Sequence, residues 1–77
     1  MMSWELWKRI NRVLDEVERI LGESFTERYA FKIASSDGEA VSVVLANRGN
    51  WFDLAKITFS LNDDPAQVAE KIRKLVR

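Results

Sequence analysis

The chain contains no cysteine and no histidine, and only one proline and three glycines in 77 residues. Without Cys there is no disulfide framework, no thiolate nucleophile and no cysteine-based zinc site. Without His, the commonest general base and metal ligand near neutral pH is missing. Charge of one sign is not in excess: Lys plus Arg is 12, Asp plus Glu is 12, and the net charge is zero. The field of a strongly basic nucleic-acid protein is therefore absent, and nothing electrostatic holds copies of the chain apart. No apolar run approaches the length of a membrane span. The opening Met1-Met2-Ser3-Trp4-Glu5 is not a basic region followed by an apolar block, so a secretory signal is not expected and a cytoplasmic location is.

What is present is a foldable hydrophobic complement. Apolar residues make up 47% of the chain, with three Trp, four Phe and one Tyr, which excludes disorder. The length predicts one domain over residues 1–77, because a second core could not close.

Ser3 is a good helix N-cap, and Gly22 a good stop. Between them Leu6, Trp7, Ile10, Val13, Leu14, Val17, Ile20 and Leu21 recur at helical spacing, the mark of a core-facing helix. Glu5–Arg9 and Asp15–Arg19 stand four apart with the acid first, the favourable order for surface pairs. Trp4 points away from the apolar arc. From Phe25 to Ser35 the period falls to two, which predicts a strand with Phe25, Tyr29, Phe31 and Ile33 inward. Ser36-Asp37-Gly38 reads as a turn, opposing Ile33 to Val41, Phe31 to Val43 and Tyr29 to Leu45. Asn47-Arg48-Gly49-Asn50 reads as the second turn. On the third strand Ile57, Phe59 and Leu61 share a phase that Phe52 and Leu54 do not. Either a bulge near Ala55 switches faces, or Phe52 and Leu54 lie outside. Asp64-Pro65-Ala66-Gln67 opens the last helix as cap, first position and capping-box partner, with Val68, Ile72, Leu75 and Val76 as the buried stripe. Lys71, Arg73, Lys74 and Arg77 crowd its end, where the helix dipole favours cations.

The predicted fold is thus α+β in the order αβββα: a three-stranded antiparallel meander with both helices on one face. Enzyme chemistry is not expected. The adjacent acids Asp63 and Asp64 stand where a cap is needed, Asp37-Gly38-Glu39 is explained by a turn, and no glycine-rich phosphate loop exists. No cofactor, metal or small-molecule ligand is indicated.

The uncovered sheet face is the candidate binding surface. Its outward positions would be Thr26, Arg28, Ala30, Lys32, Ala34, Ser42, Val44, Ala46, Lys56 and Thr58, with Phe52 and Leu54 as apolar additions. Three of these are basic and none acidic. Arg28, Lys32, Val44, Phe52, Leu54 and Lys56, with the off-face Trp4, are the residues expected to meet a partner. Trp51, at the start of a strand, is a second aromatic anchor. The expected function is a non-enzymatic interaction module that binds a protein or itself. The alternative is nucleic-acid binding through Arg28, Lys32, Arg48 and Lys56. The agreement of caps, turns and periodicity also fits a designed or thermostable scaffold with no ligand.

The element order resembles that of the double-stranded-RNA-binding domain. That family carries a Gly-Pro-x-His-like loop between its first two strands and a Lys-rich start to its last helix. Here the loop is Ser35-Ser36-Asp37-Gly38-Glu39, and the last helix opens with acidic Asn62-Asp63-Asp64-Pro65. No site residues carry over from the resemblance. Small toxins of the same topology use a catalytic His, and this chain has none.

Overall fold

A computed structural model describes residues 3–76; Met1, Met2 and Arg77 lie outside the described residues. The elements run α1 (Trp4–Leu21), α2 (Glu23–Arg28), β1 (Tyr29–Asp37), β2 (Ala40–Asn47), β3 (Asp53–Ser60) and α3 (Pro65–Leu75). The sheet order is β1-β2-β3, all antiparallel, and α1 and α3 cover one face of it. The expected αβββα architecture is therefore present, with one short helix added.

The helix ends follow their sequence signals. The Leu6 amide donates to Ser3 Oγ at 3.1 Å, and Gly22 ends α1 at φ 97°, a conformation that disfavours any side chain. The Ala66 amide donates to Asp64 Oδ1 at 3.0 Å, with Pro65 in the first turn of α3. Asp63 Oδ2 accepts from the Ser60 amide at 3.0 Å, so both adjacent acids serve the backbone. Arg73 of α3 donates to the Ile20 carbonyl at 2.9 Å, satisfying an otherwise unpaired group in the last turn of α1. The expected Glu5–Arg9 and Asp15–Arg19 pairs do not form: Arg19 instead meets Glu16 at 2.6 Å.

The core is built from Ile10, Leu14 and Val17 of α1, Val68 and Ile72 of α3, and Val41, Val43, Leu45, Ile57 and Phe59 of the sheet, all buried, with Tyr29, Phe31 and Ile33 of β1 half-buried against it. Two apolar positions depart from their expected burial. Trp7 and Leu75 are exposed. The Arg73–Ile20 bond sets the C-terminal ends of the two helices side by side. With 18 residues against 11, α1 then overhangs α3 by about 10 Å, and Trp4 and Trp7 sit on that overhang. Leu75 is the last helical residue and is exposed, whereas Val76 just after it packs against the core.

The sheet corrects the strand reading in two places. Glu23–Arg28 is a helix, so Phe25, Thr26 and Arg28 are not strand residues. The β1–β2 register also differs by two: Ile33 opposes Val43, Phe31 opposes Leu45, and Tyr29 opposes Asn47. A shift of two keeps every residue on its face, which is why the apolar pattern fits both registers. The change arises from a tighter turn. Asp37 pairs with Ala40 around Gly38-Glu39, with Gly38 at φ 63° as a two-residue hairpin loop of this kind needs. A bulge at Ala34 absorbs the extra residue and turns Ser36 inward opposite Val41. In β3 a second bulge falls at Leu54, one residue from the expected place.

Candidate interface at the β2–β3 tip

The helix-free sheet face differs from the basic, acid-free surface expected. Arg28 and Thr26 lie on α2 instead. Asp53 lies on this face, paired opposite Ala46. Lys32 on β1 reaches Asp53 on β3 at 2.6 Å, so its stem must cross the central strand. Ala46, on the outer side of β2, is fully buried there. Such snorkelling covers apolar surface with methylenes while the ammonium stays in solvent. Val44, beneath the same crossing, is half-buried, and Ser42 Oγ and Thr58 Oγ1 share a hydrogen bond of 3.0 Å. The chain itself thus covers the part of the face around Ala46, while Lys32, Asp53, Lys56 and Thr58 stay exposed.

The candidate nucleic-acid cations are partly engaged within the chain. Arg28 lies 5.9 Å from the Tyr29 ring centroid, Lys32 holds Asp53, and Arg48 Nε donates to the Thr26 carbonyl at 2.9 Å. Lys56 stands on the outer face opposite Val44. Lys32 and Lys56 thus flank Val44 in one row of the outer face, and Arg28 and Arg48 adjoin at the end of α2.

Apolar exposure concentrates instead where β2 turns into β3. Trp51 is 55% exposed, Phe52 69% and Leu54 49%. The turn that carries them is tightly bonded. The Asn47 amide donates to the Phe52 carbonyl at 2.9 Å, and the Trp51 amide to the Asn47 carbonyl at 2.6 Å. Asn47 Oδ1 accepts from Gly49 N at 2.8 Å, and Asn50 Oδ1 from Phe52 N at 3.0 Å. Asn is well suited to such local side-chain-to-backbone bonds. The Arg48 amide and guanidinium tie the turn to α2 through the Arg28 and Thr26 carbonyls, each at 2.9 Å.

Trp51 has φ 62°, the one positive φ at a non-glycine residue among those described. A left-handed conformation at a bulky residue costs on the order of 1–2 kcal/mol. Burial does not recover this at Trp51, which is more than half exposed. Strained backbone that the surrounding bonds over-determine is a frequent property of binding sites.

Beside the tip lies an open groove of about 350 Å³ between the C-terminal ends of α1 and α3 and the helix α2, lined by Leu21, Ser24, Phe25, Arg28, Tyr29 and Val76. Phe25 and Tyr29 form its aromatic wall, with ring centroids 4.8 Å apart. The sequence reading missed this groove because it placed Phe25 on a strand. The available signal was the Phe25–Tyr29 spacing of four, which suits a helical turn as well as an alternating strand.

A second aromatic surface lies on the α1 overhang. Trp4, 68% exposed, stacks on Trp7 at 5.5 Å, and Lys8 lies 5.8 Å from the Trp4 ring. Among the described residues no such ring pair involves Trp51 or Phe52.

Among the described residues no group of three or more acidic, His or Cys side chains could hold a metal ion, and no helix is long and apolar enough to cross a membrane. Comparison with protein-family models, curated proteins and solved structures finds no match.

Proposed function

We propose that the protein is a non-enzymatic interaction module whose contact surface is the β2–β3 tip, with Trp51, Phe52 and Leu54 as anchors. The observation that carries this reading is the bonding of the Asn47–Phe52 turn. It fixes the backbone from which two aromatic side chains project into solvent and keeps a strained Trp51 in place. Interface energy concentrates in aromatic anchors, and a rigid display lowers the ordering cost of binding. The zero net charge and the Asp53 carboxylate that holds Lys32 on the sheet face make nucleic-acid binding the weaker reading.

The test uses peptides selected from a display library on the immobilised protein. Their contacts are then mapped on the free protein by amide NMR. Shifts centred on Trp51, Phe52 and Leu54, lost in Phe52→Ser, are expected. Shifts centred on Trp4 and Trp7, or selected peptides that bind Phe52→Ser equally well, would reject the tip as the contact surface.

A further inference from the structure

The helices do not cover the sheet evenly. The inward Ile57 and Phe59 of β3 are buried, and so are Val41, Val43 and Leu45 of β2. On β1 the inward Tyr29, Phe31 and Ile33 are only half-buried, although they pack against the same core. The helix layer therefore thins toward β1, which is an edge strand.

The backbone of that edge has a set direction. The Arg48 amide donates to the Arg28 carbonyl at 2.9 Å, which fixes the parity of the β1–β2 ladder. In an antiparallel pair, residues that bond across the ladder alternate with residues that do not. Ala30 and Lys32, opposite Ala46 and Val44, thus bond β2, while Phe31 and Ile33 aim their amides and carbonyls at the free edge. Tyr29 aims its carbonyl there too, and its amide already donates to the Phe25 carbonyl. Beyond Ile33 the bulge at Ala34 bends the strand, so the straight edge runs from Tyr29 to Ile33 with Phe31 at its centre. Natural edges are commonly guarded by a charged side chain. Lys32 is the charged residue of this stretch, and it is drawn the other way, over β2 to Asp53 at 2.6 Å.

We propose that two copies of the chain pair antiparallel along this edge, about a two-fold axis at Phe31, and join their sheets into one. The register is self-complementary, as a two-fold interface requires, and this argues for a second copy as the occupant. Each Phe31 amide meets the partner's Phe31 carbonyl, and each Ile33 amide meets the partner's Tyr29 carbonyl. The Tyr29 amide, already engaged with Phe25, is not called upon, and the Ile33 carbonyl opposite it stays with water. On the inner face Phe31 meets the partner's Phe31, and Tyr29 meets the partner's Ile33. Aromatic and aromatic–β-branched pairs of this kind stabilise sheets, and here they cover ring surface that the helices leave open. On the outer face Ala30 stands opposite the partner's Lys32, so no like charges oppose each other. The net charge of zero removes long-range repulsion between copies. This pairing is independent of the tip as a contact surface. Tyr29 pairs with Asn47, so antiparallel chains set their two tips at opposite ends of the joint sheet, outside the paired edge.

The test combines sedimentation equilibrium and hydrogen exchange of the native chain with disulfide trapping. The native chain is expected to dimerise below about 1 mM. The Phe31 and Ile33 amides, free in the monomer, are then expected to exchange at least about twofold more slowly at about 1 mM than at about 10 µM. For trapping, Ala30→Cys and Lys32→Cys, both at outward positions, are mixed in a glutathione buffer after amide spectra establish that each is folded. Across the pairing these two positions face each other at a non-hydrogen-bonded site, with Cα atoms about 4.5 Å apart and within disulfide reach. Two like variants instead place their thiols on a diagonal of about 7–8 Å. The mixed disulfide is therefore expected to exceed either like-with-like disulfide by at least about fivefold. A native chain that stays monomeric to about 1 mM overturns the pairing, as do Phe31 and Ile33 amides whose exchange ignores concentration in a chain that dimerises. Disulfides formed in statistical proportion overturn it too. Each of these results leaves peptide binding at Trp51 and Phe52 to be decided by its own experiment.

Discussion

Replacing Ser36 by Ala is expected to stabilise the protein. The Ala34 bulge brings Ser36 to the inner side of β1 opposite Val41, and its Oγ is buried with no hydrogen-bond partner. Burying an unsatisfied hydroxyl costs about 1–3 kcal/mol in proteins. Removing the oxygen leaves a void on the order of 20 Å³, which at about 24 cal/mol per Å³ gives back roughly 0.5 kcal/mol. The net gain is about 1 kcal/mol, or about 4–8 °C in Tm for a domain of this size. Denaturant and thermal unfolding of both proteins at one pH measure it, with an unchanged m-value as the check on two-state comparison. A loss of more than about 0.5 kcal/mol for Ser36→Ala would mean that Oγ has a partner, and the account of an inward, uncompensated Ser36 would fail.

Three further outcomes follow from named contacts. Burial, then the nearby Asp15 carboxylate, raise the Glu18 pKa, and Arg48 only partly opposes them. The folded state then holds the Glu18 proton more tightly than the unfolded state, so this group's contribution falls as pH rises through the carboxylate range. Glu18→Gln is therefore expected to be more stable than the native chain at neutral pH, with the difference shrinking in acid; a difference that grows in acid contradicts it. Lys32→Ala should destabilise by up to about 1 kcal/mol and Lys32→Met by less, since Met keeps the stem over β2; equal losses in urea unfolding would assign the effect to the ion pair alone. Asp64→Ala should cost about 1 kcal/mol through the lost N-cap of α3, and a thermal melt unchanged from the native chain would contradict the capping role.

The helices were legible because several local signals agreed at each end: Ser3 and Gly22 for α1, Asp64 and Pro65 for α3. The alternation of Val41, Val43 and Leu45 likewise identified the central strand and its buried face. Register was not legible, because the alternation of Tyr29, Phe31 and Ile33 is satisfied by any even shift, and the turn at Gly38-Glu39 and the bulge at Ala34 chose between them. Residues 23–28 were misread because a Phe and a Tyr four apart satisfy both periods. Phe52, Leu54 and Trp4 stand out in the sequence as candidate contact residues and are exposed; the Trp4–Trp7 stack is local to α1, whereas the tie of the tip turn to α2 through Arg48 is long-range. The Lys32–Asp53 pair spans 21 positions in sequence, and it replaces the expected acid-free face with a partly covered one. The groove likewise depends on Val76 meeting Phe25 across the length of the chain.

The central claim is that the β2–β3 tip is the contact surface of this protein. Amide NMR mapping of the library-selected peptides on the native chain tests it most directly. Peptide-dependent shifts at residues 47–54 are predicted, with the Trp51 indole among the largest and the Trp4 and Trp7 indoles unmoved. Shifts confined to Trp4 and Trp7, or to the outer strand positions around Val44 and Lys56, would contradict it.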